Sequence, residues 1–207
     1  MPTRIFDARN MFIGALVSAV LMTLINFAFI DQGIMSYRQD ALGGRPFNGL
    51  PIVVPFLKFL LIISGLFLYA YLNKTIKMGG FEKYSFAVSN MLLGLCIAFG
   101  FFTNSRPYTL TTFVILFLLL IAIEYVGKIR FMGKFYRAFI AFVVPYWLIN
   151  FILITQNIFA FDAEKRVKFN MGLVPIENIF MGMVMLLIAV FVYERLGHPK
   201  KYVAPGS

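Results

Sequence analysis

The side chains best suited to chemistry in this chain are the few ionisable and amide groups that fall inside long apolar runs. Glu177 follows Pro175 near the start of one run, Lys58 lies within a second, and Glu124 stands towards the end of a third. Ionisable groups at membrane depth cost a few kcal/mol on insertion scales and turn to a bundle interior or a cavity, so each is a functional candidate. Desolvation favours the uncharged form of a carboxyl group. Enclosed beside apolar substrate, Glu177 would keep its proton and donate it; at a wetted helix start it would be a first-turn carboxylate stabilised by the helix dipole. Asn178 would orient that carboxyl group or its substrate, or satisfy first-turn backbone groups. Lys58 would hold Glu177 ionised if the two met, or snorkel towards an interface.

Two further amides, Asn26 and Asn150, stand near the ends of apolar runs. There an amide hydrogen-bonds across helices, either as packing or as part of a binding surface. The aromatic group Tyr146, Trp147, Phe151, Phe159, Phe161, Phe180 and Tyr193 could line a pocket and stabilise a cation through ring faces, or simply pack among the 25 Phe of the chain.

Other chemistries are excluded by residue counts. The one histidine, His198, cannot build a multi-histidine metal site, so no metal ligand set is expected. The one cysteine, Cys96, forms no intrachain disulfide and sits in an apolar run as a small core residue. Neither GxGxxG nor GxxxxGK[ST] occurs, which leaves no dinucleotide or nucleotide fingerprint.

The elements that must position these residues follow from composition. Of 207 residues 60% are hydrophobic, and 19 basic with 9 acidic side chains are the whole charged complement. A soluble domain is about 45–50% apolar and about 25% charged, so the solvent is lipid. A membrane-crossing helix needs about 20 apolar residues, and six runs meet that length: 11–30, 50–72, 84–102, 108–126, 135–154 and 173–193. The expected fold is an all-α polytopic bundle forming one membrane domain over 1–196, with a polar tail at 197–207 broken by Pro199, Pro205 and Gly206.

Basic residues concentrate in cytoplasmic loops. One face of the bundle carries Arg4, Arg9, Lys74, Lys77, Lys83, Lys128, Arg130, Lys134, Arg137, Arg195, Lys200 and Lys201; the other carries Arg38, Arg45, Arg106, Lys165, Arg166 and Lys168. Twelve against six puts both termini in the cytoplasm. The net charge of +10 then reflects orientation and anionic lipid rather than nucleic acid, because the charges are scattered between spans.

The first and last pairs of spans match without gaps at an offset of 124 residues. From Asn26 to Leu72 against Asn150 to Leu196, eleven of forty-seven positions are identical, including Asn26–Phe27 with Asn150–Phe151 and Pro51–Ile52 with Pro175–Ile176. The offset keeps orientation, so the repeat (26–72 and 150–196) is parallel, and such units often build a site at their interface. Pro51 and Pro175 read as helix starts.

The stretch from Pro107 to Leu196, through RPYTLTTF, FMGKFYRAF, LINFILI and VPIENIFMGMVMLLIAVFVYERL, resembles the second half of the integral-membrane lycopene cyclases. The first half fits more loosely through IFDAR, INFAFIDQG and GLPIVVPF. The resemblance implies a cofactor-free isomerisation in lipid, in which a carboxylic acid protonates a terminal double bond of a linear polyene, a ring closes and a proton is lost. It gives Glu177 and Asn178 the two acidic positions of the second Pro-x-Glu-Glu or Pro-x-Glu-Asp motif, as catalytic residues, Pro175 its proline and Asn150 the place of a family asparagine; Asn26, Phe180, Trp147 and Lys58 are the further candidates around the substrate. Val53 and Val54 stand where the first copy usually carries two glutamates, Asn26 where an aspartate is common, and Asn178 replaces the second acid. Glu124, Glu194, Asp31 and Asp162 are the remaining candidates for a base.

Two functions of different class follow: a bacterial inner-membrane carotenoid or isoprenoid cyclase, and a non-catalytic carotenoid- or lipid-binding protein or scaffold descended from it. A proton or small-solute carrier using Glu177 and Lys58 is a third, weakened by the shortage of polar groups along a path. Expected partners are membrane lipid and a hydrophobic isoprenoid or carotenoid, with homo-oligomers or other carotenoid-pathway enzymes as further candidates, and no nucleic acid.

Overall fold

A computed structural model describes residues 7–38, 46–76, 82–127 and 131–197. The tail from His198 onwards and the basic residues Arg4, Arg45, Lys77, Lys128 and Arg130 lie outside the described residues. Six helices carry the fold: α1 Ala8–Asp31, α2 Val53–Thr75, α3 Glu82–Phe102, α4 Pro107–Ile121, α5 Met132–Thr155 and α6 Ile176–Gly197. The last residues of α4 continue into one wider π turn, Ala122–Val126. All six, α4 with its π turn included, are long and apolar enough to cross a membrane.

Local sequence explains their ends. The Asp7 side chain accepts from the Asn10 amide at the start of α1, and Pro107 opens α4 where its missing N–H is no loss. α1 and α5 end alike. Ile34 N–H bonds Phe29 C=O while Gly33 N–H bonds Ile30 C=O, and Ile158 with Leu153 and Asn157 with Ile154 repeat the pattern. Gly33 and Asn157 both take positive φ, 63° and 52°, as the left-handed residue after a helix must.

Helix α6 is the centre of the bundle. It packs against α1, α2, α4 and α5, and an unbroken run from Glu177 to Ile179 and from Met181 to Val190 is buried. Close approach needs small residues: a Cβ on Gly14 would sit 2.7 Å from the Ala189 carbonyl oxygen, and one on Gly182 would sit 2.6 Å from the Tyr146 ring. Between them, the Ser18 hydroxyl donates to the Met185 carbonyl at 2.6 Å, an interhelical bond of the kind that holds membrane helices together. α3 lies at the periphery, against α4 and α5.

Short antiparallel ladders close the end of the bundle opposite the termini. β1 Met35–Tyr37 pairs with β4 Phe159–Phe161, β2 Pro46–Phe47 with β3 Leu50–Pro51, and β5 Asn170–Met171 with β6 Val174–Pro175. The runs read as spans from 50 and from 173 therefore begin as hairpin arms, and Pro51 and Pro175 end strands instead of opening helices. Two-residue turns force this. Asn48–Gly49 has φ of 47° and 78°, and Gly172 of the second turn has 69°, values that fit tight hairpins. β4, β5 and β6 start at Phe159, Asn170 and Val174, each 124 residues after the start of β1, β2 and β3 at Met35, Pro46 and Leu50.

Candidate functional site

Asn26, Lys58, Asn150, Glu177 and Asn178 gather in the half of the bundle that the hairpins close. A cavity of about 400 Å³ lies there among α1, α2, α5 and α6, with β1, β4 and Tyr108 of α4 completing its wall. That volume falls in the range of about 300–1,000 Å³ typical of small-ligand sites. Leu57 and Leu60 of α2 and Ile149 of α5 belong to the lining and are 41–44% exposed, so the cavity opens sideways into lipid where α2 and α5 meet.

Its walls are matched. Met22, Asn26, Phe29, Met35 and Tyr37 face it from one half, and Tyr146, Asn150, Leu153, Phe159 and Phe161 face it from the other, each 124 residues further on. Val54, Leu57 and Leu61 are matched in the same way by Asn178, Met181 and Met185. Lys58 has no such partner in the lining, because position 182 is the glycine filled by the Tyr146 ring.

Of the residues singled out by sequence, Asn26, Lys58, Asn150 and Asn178 line this cavity, as do Tyr146, Phe159 and Phe161 of the aromatic group. The Asn26 amide donates to the Tyr37 hydroxyl at 3.2 Å, the Asn150 amide to the Tyr146 carbonyl at 2.8 Å, and the Tyr146 hydroxyl lies 3.1 Å from the Asn178 side-chain oxygen. Lys58 Nζ reaches the Met22 carbonyl at 3.5 Å; among the described residues it makes no ion pair with Glu177. Burial raises the affinity of Tyr37 for its proton, so this phenol outside the spans stays neutral and bonds as a hydroxyl.

Glu177 sits one residue away and turns the other way. Its side chain is fully buried between α4 and the segment before β5, where Oε1 accepts from the Thr109 hydroxyl at 2.6 Å and the Val167 N–H at 2.7 Å. Oε2 is buried with no hydrogen-bond partner among the described residues. The carboxyl group adjoins the cavity wall, next to Asn178 in α6 and bonded to the neighbour of Tyr108, without itself lining it.

Three more candidates fall outside the lining. Phe180 packs on Phe113 of α4 at 5.0 Å between ring centroids, Trp147 stacks on Phe151 and donates to the Met171 carbonyl of the second hairpin, and Pro175 closes β6. The acids Asp31, Glu124, Asp162 and Glu194 also lie elsewhere: Glu124 accepts from Ser89, Glu194 from Tyr69, and Asp162 from the Glu164 N–H. Sequence reading missed Tyr37, Tyr108 and Thr109. The offset carried a signal for Tyr37, whose counterpart Phe161 had been noted; for Thr109 no spacing pointed to Glu177, 68 residues away.

Fold and site together define a six-helix membrane protein with a largely apolar cavity that opens between α2 and α5. The family model for lycopene cyclase matches residues 4–72 and 105–196, and the chain belongs to that family. Its role is cyclase-like, in carotenoid metabolism. Neither a curated protein nor a solved structure matches the chain at a significant level.

Proposed function

We propose that the chain admits the end of a linear carotenoid, or of another isoprenoid, from the bilayer and closes its end group into a ring without redox change. Glu177 gives its proton to the terminal carbon–carbon double bond. A neighbouring double bond attacks the cation to form the ring, and the Glu177 carboxylate takes a proton back from the ring, which restores neutrality and the starting acid. Substrate and product are isomers, and no cofactor takes part. Asn178 positions the carboxyl or the end group, Asn26, Asn150 and Lys58 line the slot, and Pro175, Phe180 and Trp147 hold the start of α6 and its surroundings.

The observation that carries this reading is a fully buried carboxyl group with one oxygen unengaged among the described residues, on the turn of α6 whose next residue lines a largely apolar cavity. The matched walls support a further part of it, that 26–72 and 150–196 are copies of one unit joined into a single membrane domain, 1–196. We assign the chain to a bacterial inner membrane, and the distribution of basic residues supports both termini being cytoplasmic.

A second reading is a non-catalytic carotenoid- or lipid-binding protein, or a scaffold for other pathway enzymes. It is favoured by the lining itself, which among the described residues contains no acidic side chain and one basic group, Lys58, unsuited to a developing cation. Expression in a lycopene-producing host separates the two. Cyclised pigment that disappears with Glu177→Gln supports catalysis, whereas unchanged lycopene co-purifying with the folded protein supports binding alone.

A further inference from the structure

The cavity carries more hydrogen-bonding capacity than a hydrocarbon can use. Asn178 is 7% exposed, and the Tyr146 hydroxyl lies 3.1 Å from its Oδ1 and 3.2 Å from its backbone carbonyl. One hydroxyl hydrogen serves one of those acceptors. With the amide so turned, Nδ2 is buried and has no partner among the described residues. Turned over, Nδ2 would donate to Tyr146 and leave Oδ1 spare. Either way one heteroatom of the amide is left over on a residue that lines the cavity, and burying such a group unpaired is unfavourable.

Lys58 adds to the surplus from the α2 wall. An ammonium has three hydrogens to give, and its described bond is the 3.5 Å contact to the Met22 carbonyl. These two groups have no polar counterpart at the repeat spacing: the residue facing the cavity in place of Asn178 on α2 is Val54, and the counterpart of Lys58 is Gly182. The asymmetry adds one polar group to the α2 wall and another to the α6 wall.

Building on the isoprenoid reading above, we infer that the ligand is a hydroxylated isoprenoid, an apolar chain bearing an alcohol at the end that enters the cavity. A hydroxyl is donor and acceptor at once, so it completes Asn178 with the amide in either orientation and takes a hydrogen from Lys58. The chain follows the Met and Phe side chains towards the opening at Leu57, Leu60 and Ile149. A cavity of this size holds the end of such a molecule, with the remainder in lipid.

The test uses the full chain in lipid nanodiscs, loaded with phytol or with phytene, the matching hydrocarbon, and the retained ligand is quantified by mass spectrometry against empty nanodiscs. Wild type should retain the alcohol about tenfold more tightly, equivalent to about 1.4 kcal/mol. Asn178→Leu should bring the alcohol down to the level of the hydrocarbon, and Lys58→Met should lower it several-fold, with phytene retention unchanged in both as evidence that the cavity persists. Equal retention of both compounds by wild type, or a preference that survives both substitutions, overturns the hydroxyl assignment and leaves the isoprenoid reading standing. Retention of neither compound overturns both.

Discussion

Ser36 and Ala160 stand opposite each other at the middle of the β1–β4 ladder, and they are also counterparts in the sequence, 124 residues apart. At the far end of the bundle the rings of Tyr69 and Tyr193, another pair at that spacing, meet edge to face at 6.3 Å. In a two-fold arrangement a residue that touches its own counterpart lies at the axis. Under the duplication proposed above, these two contacts mark an axis running along the helices, and the cavity with its matched walls is built around it. A site on such an axis starts symmetric, so differences such as Asn178 against Val54 are where chemistry or specificity can be added to one side.

The ladder gives a direct test of this pairing. Arg38 N–H bonds Ile158 C=O and Asp162 N–H bonds Ile34 C=O, so Ser36 and Ala160 form a hydrogen-bonded pair, with Cα atoms about 5.5 Å apart. That separation suits a disulfide, and both side chains are exposed. Ser36→Cys with Ala160→Cys should form an intramolecular bond on mild oxidation, read as a reducible gel shift. Either single variant should not, because Cys96 is buried. A double variant that remains fully reduced under oxidant would count against the ladder.

Orientation is checked with the same residue. If both termini are cytoplasmic, Ser36 lies on the outer face, and Ser36→Cys in intact cells of a bacterial host should react with a membrane-impermeant maleimide. A cysteine at exposed Lys74, on the other face, should react only after the cells are opened. The reverse pattern would invert the assignment made from basic residues.

Close packing of α6 makes a stability prediction. Gly182→Ala puts a methyl group 2.6 Å from the Tyr146 ring, and Gly14→Ala puts one 2.7 Å from the Ala189 carbonyl oxygen. Overpacking of this kind typically costs about 1–3 kcal/mol, read as a lower denaturation temperature in detergent. Gly94→Ala on α3 meets nothing within 4 Å and should be neutral or mildly stabilising, since alanine favours helix by up to about 1 kcal/mol.

The legible parts of this molecule are those set by the solvent. Hydrocarbon thickness fixes the length of each apolar run, so six spans could be read directly, and a charge inside such a run is costly enough that Glu177 and Lys58 stood out. The hairpins were not legible in the same way, because Leu50–Pro51 and Leu173–Pro175 are as apolar as the helices they precede; the Asn48–Gly49 pair was the turn signal available. The cavity was half legible. Asn26 and Asn150 were found through the offset, while Lys58 and Asn178, the members that depart from it, were found by chemistry alone. The direction in which Glu177 points was hidden, since helical position 177 neighbours both the cavity and α4, and only tertiary packing chooses between them.

That choice sets the last prediction, which concerns Glu177 and Thr109. The Thr109 hydroxyl supplies one of the two hydrogen bonds to Oε1, and removing a partner from a buried polar group costs about 1–3 kcal/mol. Thr109→Val should therefore lower the denaturation temperature by several degrees, at about 2–4 °C per kcal/mol for a chain of this size, and Thr109→Ser should restore it. Glu177→Gln should behave differently. The glutamine oxygen can accept from Thr109 and Val167 as Oε1 does, so the fold should survive with a smaller thermal shift than in Thr109→Val, while the proton needed to start ring closure is gone. Loss of cyclised pigment in a Glu177→Gln protein that still accumulates in the membrane would assign the proton to this carboxyl group. Full cyclisation by the same variant would remove Glu177 from the reaction and leave it as the polar brace between α4 and α6.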